Sequence, residues 1–119
     1  NIDGLGWVAD VGAEMATWSL SIVPLFVGGG TRIKIAEALA RRCPVVSTSL
    51  GAYGYDLEAG REIEIADTPD RFAARCLALL ADPGAAERMA DQGWQQFLAH
   101  WTWDAQYDRI AQIVAATRS

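Results

Sequence analysis

The sequence predicts an α/β domain: a partial, doubly wound parallel sheet of about four strands, closed by C-terminal helices. Three observations predict it. Short apolar runs alternate with helical ones over the first half of the chain. The runs at residues 20–26 and 44–48 are almost wholly apolar or β-branched, the pattern of strands covered on both faces. The last half carries helical periodicity throughout.

Each element has its own signal. Residues 5–9 read as the end of a strand, with Asp10 as N-cap of a short helix over 11–17. Residues 20–26 form the second strand, whose regular part ends near Pro24 because proline cannot donate to a ladder. Gly28, Gly29, Gly30 and Thr31 lead into a helix over 32–41, with Ile33, Ala36 and Ala40 on one face and Leu39 beside it. Residues 44–48 form the third strand, 49–60 a glycine-containing loop, and 62–66 an alternating, half-exposed edge strand. Asp67 or Thr68 caps the next helix, with Pro69 in its first turn. Asp82, Pro83 and Gly84 break it, and a further helix covers 85–99. Thr102 caps the last one, where Trp103, Tyr107, Ile110 and Val114 fall on one stripe. The alternation is Rossmann-like.

Composition bounds the function. The chain has 119 residues, one domain's worth, with 51% hydrophobic and 21% charged residues, which disfavours disorder. Its net charge is −5, and only Arg41 and Arg42 are adjacent cations, so nucleic acid is not an expected partner. No apolar run approaches the ~20 residues of a membrane span. The first residue is Asn1, and an excised piece of a longer protein is expected. Cys43 and Cys76 have neither metal-ligand nor disulfide spacing and read as buried small hydrophobes. His100, the single histidine, has no ligand cluster around it, so no metal site is expected. Trp94, Trp101 and Trp103 read as packing of the terminal helices, with part of their surface an exposed interface.

The stretch that carries chemistry runs from residue 23 to 54. A buried strand enters three glycines and then a helix. Ligands of open α/β sheets bind at strand carboxyl ends, glycine lets backbone approach a ligand, and a helix N-terminus attracts anions. These features predict a phosphate site formed by the backbone of Gly29, Gly30, Thr31 and Arg32. Glu37 follows among Ile35, Ala36, Ala38 and Leu39. Its carboxylate can take both hydrogen bonds of a vicinal diol such as a ribose. The competing reading is a solvated Glu37 paired with Arg41 at i+4.

The segment from Gly28 to Ala40, followed by Pro44-Val45-Val46-Ser47-Thr48 and Gly51-Ala52-Tyr53-Gly54, resembles the donor-binding domain of family 4 (group 1) glycosyltransferases, retaining enzymes of the GT-B fold. Gly6-Trp7-Val8 resembles the strand leading to that family's nucleotide-base pocket. Residues 1–119 then form a single partial domain, the C-terminal part of the donor-binding domain. The resemblance implies that Glu37 binds the ribose of a nucleoside diphosphate sugar and that Gly29, Gly30, Thr31 and Arg32 hold its diphosphate and sugar. Gly28 and Lys34 are further donor-binding candidates, and no catalytic side chain is assigned. Gly29 stands where the family's paired-glutamate motif has its first glutamate. The basic pair of that family's first strand and its N-terminal acceptor domain have no counterpart here. The implied partners are the nucleotide sugar and that acceptor domain, with no cofactor beyond the donor substrate. The expected location is cytoplasmic, extending to the inner membrane surface. The fragment alone is expected to be inactive as a hexosyltransferase and open to self-association through unpaired strand edges. The alternative is a non-catalytic α/β nucleotide-binding or regulatory module. A dehydrogenase is disfavoured by the absence of the G-x-G-x-x-G spacing.

Overall fold

The computed structural model describes residues 2–29 and 33–118. Its elements run in chain order: α1 (Val11–Met15), β1 (Ser21–Val23), α2 (Ile33–Ala40), β2 (Val45–Ser47), α3 (Ser49–Ala52), β3 (Glu64–Ile65), α4 (Pro69–Ala81), α5 (Pro83–His100) and α6 (Trp103–Thr117). The three strands form one parallel sheet in the order β1-β2-β3. Val45, Val46 and Ser47 of β2 lie beside Ser21, Ile22 and Val23, and Val46 and Ser47 lie beside Glu64 and Ile65.

The α/β class is as expected, with three strands among the described residues where about four were expected. Residues 5–9 form none. Gly6 adopts φ 67°, which interrupts an extended path, and Trp7 is 87% exposed. Pro24 does end β1 after Val23. This strand is not covered on both faces, however: it is an edge of the sheet, and Ile22 is half-exposed.

The sheet is two-sided because strand side chains alternate. Val45 packs with Val23, Ile35, Ala38, Leu39 and Ile63 on one face. Val46 packs with Ala66, Phe72, Leu79, Ala86 and Met89 on the other. Helix α5 contributes to both, through Ala86 and Met89 on the second face and Phe97 on the first. The buried face of α2 is Ile35, Ala38 and Leu39, which lies well round the helix from the expected Ile33, Ala36 and Ala40; Ile33 itself is exposed. Cys43 is buried and Cys76 half-buried, both free thiols, and burial pushes both up from the ordinary thiol range.

Polar side chains set the helix boundaries. Asp10 Oδ1 accepts from Ala13 N–H (3.1 Å), and Thr102 Oγ1 accepts from Ala105 N–H (3.1 Å), both as expected. Thr68, not Asp67, caps α4. Asp82 both closes α4 and caps α5 through Ala85 N–H (3.1 Å), so Pro83 opens α5 where a break was expected. Thr48 starts the unforeseen single turn α3 by accepting from Gly51 N–H (3.0 Å). The strand expected over 62–66 shrinks to Glu64–Ile65. The buried Glu62 carboxylate instead folds back to accept from Glu58 N–H (2.7 Å).

Helix α2 ends in a Schellman arrangement: Cys43 N–H donates to Ala38 O (2.9 Å) and Arg42 N–H to Leu39 O (3.1 Å). Arg42 takes the left-handed position at φ 54°, normally glycine's, at a cost of roughly 1–2 kcal/mol. The other left-handed positions among the described residues, Gly6, Gly28, Gly54 and Gly60, are all glycines.

The principal helix–helix contact joins α2 to α5. It closes at Gly93, where an added Cβ would stand 2.7 Å from Leu39 Cδ2 and 3.2 Å from Glu62 O. Gly93→Val is expected to destabilise the chain by about 2–3 kcal/mol in urea unfolding followed by tryptophan fluorescence. Gly84→Ala, whose Cβ meets only the flexible Arg88 and Asp82 side chains, is expected to stay within about 0.5 kcal/mol of wild type.

Candidate functional site

The carboxyl ends of the three strands are tied together by side chains. Thr48 Oγ1 donates to Leu25 O just beyond β1 and accepts from Gly51 N–H. Ser47 Oγ donates to Thr48 O (2.9 Å). Ser49 N–H and Oγ donate to the two oxygens of Asp67, past β3, at 2.8 and 2.5 Å. Those two bonds, the hydroxyl's first, hold the Asp67 carboxyl below the usual carboxylate range. Gly51 is required in this frame, since a Cβ there would lie 2.5 Å from Ser47 Oγ and 3.1 Å from Val23 O. Ser47 and Thr48, which end the strand nearest the presumed site, thus serve the backbone and not a reaction.

Beyond the frame, Gly28 adopts φ 121°, and an added Cβ at Gly29 would meet nothing within 4 Å. Both are exposed, so their backbone is open to a ligand's approach. Gly30, Thr31 and Arg32 lie outside the described residues. Helix α2 then presents Lys34 and Glu37, one turn apart, into a single groove of about 310 Å³. Val11 and Met15 of α1, Trp18 just after it, and Leu20, Ser21 and Ile22 complete its lining.

Glu37 is half-buried in this groove and has no ion-pair partner among the described residues. The competing i,i+4 pair with Arg41 does not form. The Arg41 guanidinium lies instead over Gly12, whose added Cβ would fall 2.5 Å from Nη1. The groove therefore joins a largely apolar lining to one carboxylate able to accept from hydroxyls and one ammonium able to pair with anions. The sequence singles out Glu37 and Lys34 but not the residues that share the groove with them. Trp18 follows α1, its Nε1–H donating to Glu14 Oε1 (3.2 Å), and only the tertiary packing brings it into the same groove as Glu37.

Other candidates disperse. Trp94 lies under the Arg42 guanidinium (4.5 Å to the ring centroid), Trp101 stacks on Tyr55 (centroids 4.8 Å apart), and Trp103 is 90% exposed. The α6 stripe expected from the sequence exists, and Tyr107, Ile110 and Val114 are exposed with Trp103. His100 is exposed in the last turn of α5. Among the described residues no group of three or more His, Cys, Asp or Glu side chains is placed to hold a metal ion, and no helix is long and apolar enough to cross a membrane.

The model of the family described as Glycosyl transferases group 1 matches residues 1–82. The chain belongs to the group 1 glycosyl transferases. Its fold is similar to the crystal structure of the C-terminal domain of a glycosyl transferase group 1 family protein from Francisella tularensis, with TM-score 0.67 and 21% identity. That likeness covers 83% of this chain and 53% of the other, so the chain spans about half the length of that domain. No curated protein compared with the chain matches it.

The Asp67 contact makes a pH prediction. A carboxyl whose folded value is depressed contributes stability above its unfolded value and loses it as pH falls through the folded one. Asp67→Asn is therefore expected to be less stable than wild type near neutrality. The gap should close as pH falls below about 4, in urea unfolding series at stepped pH.

Proposed function

We propose that this chain is the nucleotide-sugar-binding part of a retaining glycosyltransferase of family 4. The whole protein would transfer a hexosyl group from a nucleoside diphosphate sugar to an acceptor hydroxyl. In that reaction the bond between the anomeric carbon and the diphosphate oxygen breaks, a bond to the acceptor oxygen forms, and the acceptor's proton is released. The leaving group is a diphosphate anion, so stabilising its charge is the main electrostatic demand.

The observation that carries the reading is the Glu37 carboxylate, without an ion-pair partner among the described residues, lining one largely apolar groove with Lys34 on the helix that follows Gly28 and Gly29. Glu37 would accept both hydroxyls of the ribose. The opening turn of α2, with Gly28 to Arg32 before it, would offer N–H groups to the diphosphate, and Lys34 would add a positive charge. The open edge of β1 and the exposed stripe of α6 are, on this reading, surfaces that other parts of the whole protein cover.

The test is ligand-observed NMR of the chain with UDP, GDP, ADP and NAD, repeated on Glu37→Ala. One nucleoside diphosphate is expected to bind, and its affinity is expected to fall roughly 10- to 100-fold in the variant through loss of hydrogen bonds to a charged group. NAD binding that survives the variant would overturn the reading in favour of a different nucleotide-binding module.

A further inference from the structure

Arg42 occupies the one left-handed backbone position among the described residues that is not a glycine, and its side chain is fully employed there. Its Nε–H donates to Asp91 Oδ1 (3.1 Å), and Nη2 meets the same oxygen as an ion pair. The guanidinium plane also lies 4.5 Å from the centre of the Trp94 ring. Asp91 and Trp94 belong to α5, one turn apart, and they flank Gly93, where α5 comes closest to Leu39 of α2. Glycine would adopt this backbone without strain, but it could make neither contact.

The two ends of α2 are therefore held differently. Upstream of its start an added Cβ at Gly29 would meet nothing within 4 Å, while its end is closed by the Schellman bonds and pinned to α5 by Arg42. The helix has eight residues, about 12 Å, and Glu37 lies five residues before the pin. Turning such a helix by about 20° swings a carboxylate roughly 5 Å off its axis by nearly 2 Å, enough to break a hydrogen bond.

We propose that Arg42 is a positioning residue for the donor site: by clamping the end of α2 to Asp91 and Trp94 of α5, it sets the rotation of α2 and hence the place of the Glu37 carboxylate in the groove. The inference rests on the reading of Glu37 given above, and its test separates the two. Arg42→Gly relieves the left-handed strain while removing the clamp, so its thermal midpoint should stay within about 4 °C of wild type. Asp91→Ala removes the acceptor of both Arg42 bonds without touching the Arg42 backbone and serves if the first variant is unstable.

In both variants the Glu37 carboxyl ¹³C resonance is expected to move. The α2 amides should exchange with solvent about tenfold faster relative to those of α4. The affinity for whichever of UDP, GDP or ADP binds wild type should fall three- to tenfold. An unmoved Glu37 resonance overturns the proposal, as does unchanged affinity in a variant whose α2 amides have loosened, which would make the clamp structural only. If wild type binds none of the three nucleotides, the donor-site reading fails by itself. The Glu37 resonance then still decides whether Arg42 positions that carboxylate.

Discussion

The close approach of α5 to α2 organises this molecule. At Gly93 there is no room for a β-carbon between α5 and Leu39, so the two helices meet nearly backbone to side chain. That contact fixes α2 against the inner face of Val45. It also lets α5 reach past the sheet, placing Ala86 and Met89 among the residues under Val46. A three-stranded sheet with strands of two or three residues has little cohesion of its own. One helix that contributes to both hydrophobic faces supplies what the short ladders lack.

The same economy appears at the carboxyl ends of the strands. Thr48 bonds to the chain leaving β1, and Ser49 bonds to Asp67 beyond β3, so the segments leaving all three strands are joined through two adjacent residues. The groove of Lys34 and Glu37 lies beside this frame and is walled by α1, whose own start is capped by Asp10. The family match, over residues 1–82, spans every residue that lines this groove.

Burial is uneven along the chain, and the unevenness is informative. The core lies under β2, whose three residues are fully buried, whereas β1 keeps a half-exposed Ile22 at an open edge. Helix α6 has no buried residue at all, although its apolar stripe is as regular as that of a core helix. Amphipathicity thus marks a face able to be covered, and only the fold shows whether the covering is present.

Local chemistry alone determined much of this protein. Pro24 stopped β1, and Asp10, Thr68 and Thr102 capped their helices, because these effects act within three or four residues. The glycine run and Glu37 were legible for the same reason, being a short pattern on one turn and one helix. Tertiary structure decided what depends on distant partners. Residues 5–9 formed no strand, because a strand needs a ladder neighbour that no local pattern supplies. The buried face of α2 settled on Ile35, Ala38 and Leu39 and not on Ile33, because α5 and the sheet approach from that side. Arg41 turned to Gly12 instead of Glu37, and Arg42 took a glycine's backbone, because α1 and α5 offered contacts from far along the chain. The sequence singles out Glu37; packing gives its carboxylate a place in a groove with no ion-pair partner among the described residues.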